Sequence, residues 1–274
     1  MINMKATVIV DNIEHNNLSG EWGLCIYIEY NGKTILLDSG ASELFTTNAP
    51  ALGLSLAGVD YAVLSHAHYD HSDGMPYFFR ENNHAHFYLR QGCAEDCYKI
   101  GDDRKRQYIG IKSGILTDFA DRITYVEGDY QLTEGVWLIP HKTPHLEAIG
   151  TREEMFRDKP EGWLPDDFSH EQSLVFETPT GLVIFNSCSH SGAANIINEV
   201  SATFPDKKVR AIIGGFHLFN KTDDEIHAFA QKLLDTKIEY ICTGHCTGDN
   251  AYPLLQTALG DKLHRLHVGL VMEF

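Results

Sequence analysis

Four apolar runs in this chain end in the same way: each passes through small residues and then reaches a histidine. The runs cover residues 62–66, 183–190, 212–217 and 240–245, and their histidines are His66, His190, His217 and His245. Runs of this kind predict buried β-strands. Because side chains just past the carboxyl ends of strands in an α/β fold meet in one crevice, we expect the four imidazoles to lie close together. Packing alone is a poor explanation for four imidazoles at one edge, so the pattern predicts a site.

The remaining pattern predicts a layered α/β protein. Strand-like segments at residues 6–10, 24–30 and 34–38 come first, with Asn31-Gly32 as a hairpin turn between the last two. The second half alternates predicted strands with predicted helices, and the last strand is expected near residues 266–272. A β-rich start followed by βαβα units predicts helices outside sheets.

We expect one domain over residues 1–274, since α/β domains of this size are common. The stretch at residues 140–170 is expected to be an irregular insert or loop, because it concentrates residues that interrupt regular structure. These residues are Pro140, Pro144, Gly150, Pro160 and Pro165.

The charge balance restricts the partners that this chain can have. Its 38 acidic and 22 basic residues give a net charge of −16, which is unfavourable for binding nucleic acid or an anionic membrane surface. No apolar run approaches the roughly 20 residues that span a bilayer. The first residues lack the pattern of a signal peptide, and six cysteines in a chain of this length do not predict a disulfide scaffold. We therefore expect a cytoplasmic protein whose partner is a small-molecule substrate, with neither nucleic acid nor membrane bound. No oligomeric state is predicted.

The densest group of candidate ligands is the sequence His-Ala-His-Tyr-Asp-His at residues 66–71. His66 and His68 are two residues apart, so an extended chain points both side chains the same way. Asp70 and His71 would come from the turn that follows. Imidazole nitrogen and carboxylate oxygen are ligands that zinc and similar metals take. Two ligands from the strand end and two from the turn fit two adjacent ions, and histidines from later strand ends can complete the shells.

A longer segment around this group resembles a known motif. Residues 65–74, Ser-His-Ala-His-Tyr-Asp-His-Ser-Asp-Gly, resemble the metal-binding motif of the metallo-β-lactamase fold superfamily. Asp38, in Leu-Leu-Asp-Ser-Gly, resembles the early aspartate that supports the metal site through hydrogen bonds. Residues 186–192, 214–218 and 243–248 are similar to one subgroup, the hydrolases like dihydropterin ribofuranosyl-aminobenzene phosphate synthase. The resemblance implies a four-layer αββα sandwich of the α/β class with a dinuclear metal site at one edge.

The resemblance also implies an assignment of ligands to two divalent metal ions. Zinc is expected at both positions, with manganese, iron or nickel as alternatives. One ion would be held by His66, His68 and His190, and the other by Asp70, His71 and His245.

Two departures from the family pattern leave alternatives open. Many relatives carry a bridging aspartate at the strand end where this chain has Ser-Cys-Ser-His, so Cys188 is an alternative ligand. Many relatives also take a histidine from the loop that corresponds to residues 140–145, so His141 or His145 could replace His190. We favour His190 because it directly follows a predicted strand.

These ligands predict a metal-dependent hydrolase. A bound metal lowers the pKa of water to about 7, and the resulting hydroxide could attack a phosphoester, or a carbonyl ester or amide, of a small molecule. Asp70 is expected to hold this hydroxide and accept its proton as well as bind metal. His217, outside both ligand sets, is predicted to act as a general acid or oxyanion donor, and its alternative role is a metal ligand.

A second hypothesis is that the same ligands belong to a metal-binding or sensor module without catalytic activity. The complete ligand set favours the hydrolase. Two divalent ions bring four positive charges, and Asp70 is the sole formal anion among the six predicted ligands. The pocket is therefore expected to be locally positive and able to accept an anionic substrate.

Overall fold

Two seven-stranded β-sheets face each other at the centre of the structure, a computed structural model that describes residues 4–274. The strands, in chain order, are β1 (Met4–Val10), β2 (Cys25–Tyr30), β3 (Lys33–Leu37), β4 (Tyr61–Val63), β5 (Phe87–Arg90), β6 (Cys97–Ile100), β7 (Arg106–Tyr108), β8 (Ile123–Val126), β9 (Tyr130–Thr133), β10 (Val136–Pro140), β11 (Met155–Lys159), β12 (Gly162–Pro165), β13 (Gln172–Thr178), β14 (Gly181–Phe185), β15 (Val209–Ile213), β16 (Tyr240–Thr243), β17 (Leu263–Arg265) and β18 (Val271–Glu273). The first sheet has the order β18-β1-β2-β3-β4-β5-β8, and the second has the order β17-β16-β15-β14-β13-β10-β9.

Helices cover the outer faces of both sheets. In chain order they are α1 (Leu44–Ala51), α2 (Tyr69–Ser72), α3 (Met75–Glu81), α4 (Ile115–Asp118), α5 (Glu147–Arg152), α6 (Ala193–Thr203), α7 (Asp223–Asp235) and α8 (Ala251–Leu259). Short 3-10 helices lie at Leu56–Gly58, Ala120–Arg122, His245–Thr247 and Gly260–Lys262. The capping box of α7 is formed by Thr222 and Glu225. None of the helices within residues 4–274 has the length and apolar character needed to cross a bilayer.

Three separate clusters of buried apolar side chains fill the spaces between the four layers. Alternation along the strands explains this arrangement, since successive side chains point to opposite faces. In β14, Val183 and Phe185 belong to the cluster between the sheets, whereas Leu182 and Ile184 pack with the helices of the second sheet. The predicted αββα sandwich is confirmed.

The predicted irregular insert at residues 140–170 contains regular structure, so this part of the prediction is corrected. It forms α5 and the hairpin β11–β12, and β11 pairs with β6 in a third, four-stranded sheet of order β12-β11-β6-β7. The hairpin is held by a buried ion pair, in which Arg157 Nη2 lies 2.8 Å from Asp96 Oδ1. Asp96 is 61 residues away from Arg157 in the chain, so local sequence patterns could not predict this ion pair.

The strand predicted near residues 266–272 is also corrected. The structure has two short strands there, and they join different sheets: β17 pairs in parallel with β16, and β18 pairs antiparallel with β1. The residues between them must cross from one sheet to the other, which prevents a single continuous strand.

Candidate metal centre

The parallel strands of both sheets deliver the histidines to one edge. β14, β15 and β16 are parallel neighbours, and His190, His217 and His245 follow their carboxyl ends. β4, parallel to β3 in the other sheet, leads to His66. The site therefore lies where the ends of the two sheets meet, as parallel-strand geometry requires.

The first candidate ligand group consists of His66, His68 and His190. One ring nitrogen from each lies within 4.8 Å of the others, and all three side chains are buried. The Nε2 atoms of His66 and His68 and both ring nitrogens of His190 have no hydrogen-bond partner within residues 4–274. Buried polar atoms are normally paired, so converging unpaired nitrogens fit a metal ion. We call this group the first triad.

Burial sets the protonation state of the first triad. It lowers the pKa of His68 to about 3, with neighbouring His170 adding to the effect. Burial and the surrounding histidines also hold the pKa values of His66 and His190 well below the usual range. These imidazoles are neutral near pH 7, the form in which a ring nitrogen can bind metal.

The second candidate ligand group consists of Asp70, His71 and His245, again with ligand atoms within 4.8 Å of one another. The two Nε2 atoms are 3.2 Å apart. Asp70 Oδ2 lies 3.6 Å from Nε2 of His71 and 3.3 Å from Nε2 of His245. Two ring nitrogens and a carboxylate at these distances fit a shared cation. We call this group the second triad.

Hydrogen bonds on the far side of each ring orient the second triad. His71 Nδ1 lies 2.8 Å from Asp38 Oδ2, and His245 Nδ1 lies 3.0 Å from Asn12 Oδ1. With Nδ1–H donating to these oxygens, the Nε2 lone pairs face the interior of the site. Partners of this kind fix the tautomer and raise the basicity of metal-binding histidines.

Asp38 connects the second triad to the strand ends. Its carboxylate accepts hydrogen bonds from Ser65 N at 2.7 Å, Ser65 Oγ at 2.8 Å and Ser187 Oγ at 2.5 Å, in addition to the His71 ring. Gly74 lies against Ser39, the residue after Asp38. A Cβ at position 74 would be 2.0 Å from Ser39 O, so the close approach requires glycine. The glycine that ends the motif thus lets the turn after the triad approach the segment that carries Asp38.

Cys188 lies between the triads. Its Sγ is 3.3 Å from His71 Nε2 and 3.5 Å from Cys246 Sγ. It can share an ion-sized space either with His66 and His71 or with His245 and Cys246. Burial raises the pKa of the Cys188 thiol well above its ordinary value. The alternative ligand named from the sequence is therefore in reach of the site.

His217 is adjacent to the first triad but belongs to neither group. Its ring centroid is 4.6 Å from that of His190, and its Nδ1 has no hydrogen-bond partner in the described chain. Within residues 4–274 it is part of no cluster whose ligand atoms meet within 4.8 Å. This placement favours the predicted acid or donor role over the alternative of a metal ligand.

The structure brings neither loop histidine to the triads. His141 Nε2 is 3.2 Å from Glu171 Oε1, and its Nδ1 is 3.0 Å from Ser191 Oγ. His145 is exposed and lies against Glu147. The backbone N–H of His190 donates to Glu171, with both carboxylate oxygens 3.2 Å away. His141 therefore reaches the site through Glu171 and not as a member of a triad.

Sequence reasoning missed several supporting residues. His170 is buried beside His68, with ring centroids 5.5 Å apart. Its Nδ1 accepts a hydrogen bond from Ala67 N at 3.1 Å, and its Nε2 lies 3.1 Å from Asp166 Oδ2. Both nitrogens are occupied, so His170 supports the chain at Ala67 instead of offering a ligand atom. Asn12, two residues after the predicted strand at residues 6–10, was also missed, although its Oδ1 lies 3.0 Å from His245 Nδ1.

A cavity of about 280 Å³ adjoins the first triad. His190 and His217 line it together with Ser189 and the first residues of α6. The candidate metal centre thus opens towards a space that can hold part of a small molecule.

Comparison with known proteins agrees with this geometry. The family model described as the metallo-beta-lactamase superfamily matches residues 23–147. A solved metal-dependent hydrolase of the beta-lactamase superfamily matches 99% of both chains, with a TM-score of 0.83 and 26% identity. The chain is therefore similar to the metallo-β-lactamase superfamily in both sequence and fold. Members of the metallo-β-lactamase superfamily are usually hydrolases and typically bind divalent metal ions.

Individual relatives make the similarity to the metallo-β-lactamase superfamily more specific. A 7,8-dihydropterin-6-methyl-4-(beta-D-ribofuranosyl)-aminobenzene-5'-phosphate synthase of Methanocaldococcus jannaschii is 26% identical, over 91% of this chain and 88% of the relative. An uncharacterized protein of the same archaeon is 27% identical, over 97% of this chain and 98% of the relative. YhfI of Bacillus subtilis covers 100% of both chains at 13% identity with a TM-score of 0.61, which shows the shared fold alone. The similarity to the synthase subgroup is confirmed.

Proposed function

We propose that this protein is a metal-dependent hydrolase that cleaves a phosphoester, or a carbonyl ester or amide, of a small molecule. The observation that carries the proposal is the convergence of the two triads: ring nitrogens of the first triad have no hydrogen-bond partner within residues 4–274, and Nε2 of His71 lies 3.2 Å from Nε2 of His245. A fold that brings this many buried ligand atoms together at one edge is difficult to explain by packing.

Two divalent ions are proposed, with zinc as the first candidate and manganese, iron or nickel as alternatives. The first triad, His66, His68 and His190, would hold one ion, and the second triad would hold the other. Bound there, the ions would polarise the scissile group and lower the pKa of water. The neutral histidines of the first triad suit this task because their lone pairs are free.

The chain's own groups have separate tasks around these ions. Asp38 and Asn12 hold the rings of His71 and His245, so that these ligands need not reorganise when substrate binds. Asp70 is the carboxylate of the second triad, and we assign it as the acceptor of the proton that the attacking water loses.

His217 is assigned as the proton donor to the leaving group. It lines the cavity next to the first triad, and its Nδ1 has no partner within the described residues. A donor in this position is beside the bond that breaks when substrate occupies the cavity. When Nδ1 carries a proton, no other acceptor within the described residues competes with the substrate for it.

Metal analysis combined with hydrolysis assays tests the proposal. The purified protein should contain two divalent ions per chain and hydrolyse bis-p-nitrophenyl phosphate, p-nitrophenyl phosphate or a lactone when zinc, manganese, nickel or iron is supplied. His68→Ala should lose one ion and at least a hundredfold in kcat/KM. His84→Ala is the matched control, since His84 begins the other His-x-His pair and is exposed.

Retention of both ions and full activity in His68→Ala would contradict the ligand assignment. Full metal content with no hydrolysis of any of these esters would favour the non-catalytic metal-binding module instead.

A further inference from the structure

The N-terminus of α6 presents backbone donors that the protein itself does not use. The N–H groups of Ala193, Ala194 and Asn195 have no acceptor within residues 4–274. Gly192 precedes them at the N-cap with φ of 92°, a left-handed conformation that favours glycine, and it offers no side-chain oxygen as a cap. A helix of 11 residues thus begins with its positive end uncapped.

The residues that carry these donors line the same cavity as the first triad. Gly192, Ala193, Ala194 and Asn195 line the 280 Å³ space that His190 and His217 also line. Ser189 lines it as well. Ser189 is 2% exposed, and its Oγ has no hydrogen-bond partner in the described chain. A buried hydroxyl without a hydrogen-bond partner destabilises the folded protein unless a ligand forms that hydrogen bond.

The charged residues around this cavity leave a small positive excess. Arg152, Lys221 and Lys232 line it, against Glu153 and Glu225. Glu153 is already paired, since Lys221 Nζ lies 2.5 Å and 2.6 Å from its two oxygens and Arg152 Nε lies 2.9 Å from its Oε1. A positive excess here stands out in a chain of net charge −16, and it favours an anionic ligand.

We propose that the start of α6 and Ser189 bind a phosphate group of the substrate beside the metal centre. Three backbone N–H groups and one hydroxyl match the three terminal oxygens of a phosphate monoester better than the two oxygens of a carboxylate. Uncapped helix N-termini are a recurring way to bind such anions. The role of this subsite in catalysis rests on the proposed hydrolase function, whereas its affinity for phosphate does not. The substrate class that follows is a phosphorylated small molecule.

A pair of variants that differ only in charge tests this subsite. Ala194→Asp places a carboxylate in the first turn of α6, which helix electrostatics favour, so the protein should stay folded. Ala194→Asn has nearly the same shape without the charge. Isothermal titration with inorganic phosphate, at equal measured metal content, should give similar Kd values for the wild type and Ala194→Asn and at least a tenfold weaker Kd for Ala194→Asp.

Equal phosphate affinity in Ala194→Asp and Ala194→Asn would overturn the proposal. Ser189→Ala provides a second measurement and should weaken phosphate binding at least threefold. Acetate should bind at least tenfold more weakly than phosphate, and equally tight acetate binding would overturn the assignment to phosphate.

The outcomes also separate this inference from the proposed function. If no ester is hydrolysed but the two Ala194 variants differ in phosphate affinity, the hydrolase proposal fails and the subsite stands. If metal-dependent hydrolysis of lactones continues and the variants bind phosphate alike, the subsite fails and the hydrolase proposal stands.

Discussion

His71 Nδ1 lies 2.8 Å from Asp38 Oδ2, and neither side chain is exposed to solvent. Asp38 also accepts hydrogen bonds from Ser65 and Ser187, so one carboxylate connects three segments of the metal centre. An amide at this position would bring two N–H donors towards groups that are themselves donors. Bonds to a charged acceptor are worth about 1.5–3 kcal/mol each.

Asp38→Asn should therefore lower the free energy of unfolding by about 3 kcal/mol and reduce metal content from two ions to one. Urea unfolding and metal analysis measure the two effects. Asp249→Asn is the control, since that side chain is 88% exposed. An Asp38→Asn protein with wild-type stability and two ions would contradict the supporting role of Asp38.

Cys188 is expected to be a ligand between the two triads. In the cobalt-substituted protein, its thiolate should produce a sulfur-to-metal charge-transfer band in the near ultraviolet. Cys188→Ala should abolish this band and weaken the binding of one ion at least tenfold, and Cys188→Asp should restore the affinity without the band. Cys242→Ala is the matched control, because Cys242 is a buried thiol of the core between the sheets. A band that survives in Cys188→Ala would rule out this ligand.

The raised pKa of His141 predicts how the free energy of unfolding depends on pH. Burial lowers the pKa of His141, but Glu171 and Glu199 outweigh that effect and raise it from 6.5 to about 9. A pKa that is higher in the folded state adds stability at low pH, and this stability is lost as pH rises through the folded value. The free energy of unfolding should fall by about 3 kcal/mol between pH 6.5 and about pH 9.

Urea unfolding across this pH range, with wild type and His141→Gln compared, checks that expectation. His141→Gln should show a flatter dependence on pH, although its overall stability is lower. His145→Gln is the control because His145 is exposed. The same slope in wild type and His141→Gln would show that another group causes the pH dependence.

The ion pair of Arg157 and Asp96 should be needed for the third sheet. Asp96→Ala leaves a guanidinium that is 2% exposed with Asp167 Oδ1, 3.9 Å away, as its remaining carboxylate contact. Breaking a buried ion pair typically costs about 3–5 kcal/mol. Replacing both residues by leucine should cost less, because no buried charge remains. Urea unfolding of both variants measures the difference, and Glu43→Ala, from an exposed pair with Arg80, should leave stability unchanged. A double variant less stable than Asp96→Ala would contradict this account.

The sequence predicted the two central sheets well because their strands alternate or are continuously apolar. The third sheet was not predicted from the sequence, and the reason is physical. β7 is exposed along its whole length, so burial imposes no alternation on its sequence. Its pairing with β6, and that of β6 with β11, depends on contacts between distant segments such as Asp96 and Arg157.

The candidate site shows the same division between local and distant information. The order of ligands in residues 66–71 is local, and the structure brings His190 and His245 to it. The supports of those ligands come from far away in the chain: Asn12 is 233 residues from His245, and Ser187 is 149 residues from Asp38. Short polar side chains such as these are common throughout any chain, so only the fold identifies them.

The central claim is that two triads hold two divalent ions, and anomalous diffraction from crystals grown with zinc tests it most directly. We predict two anomalous peaks per chain, one contacted by His66, His68 and His190 and the other by Asp70, His71 and His245. Absence of a peak at either triad in zinc-containing crystals, or a peak held by His141 in place of His190, would contradict the account.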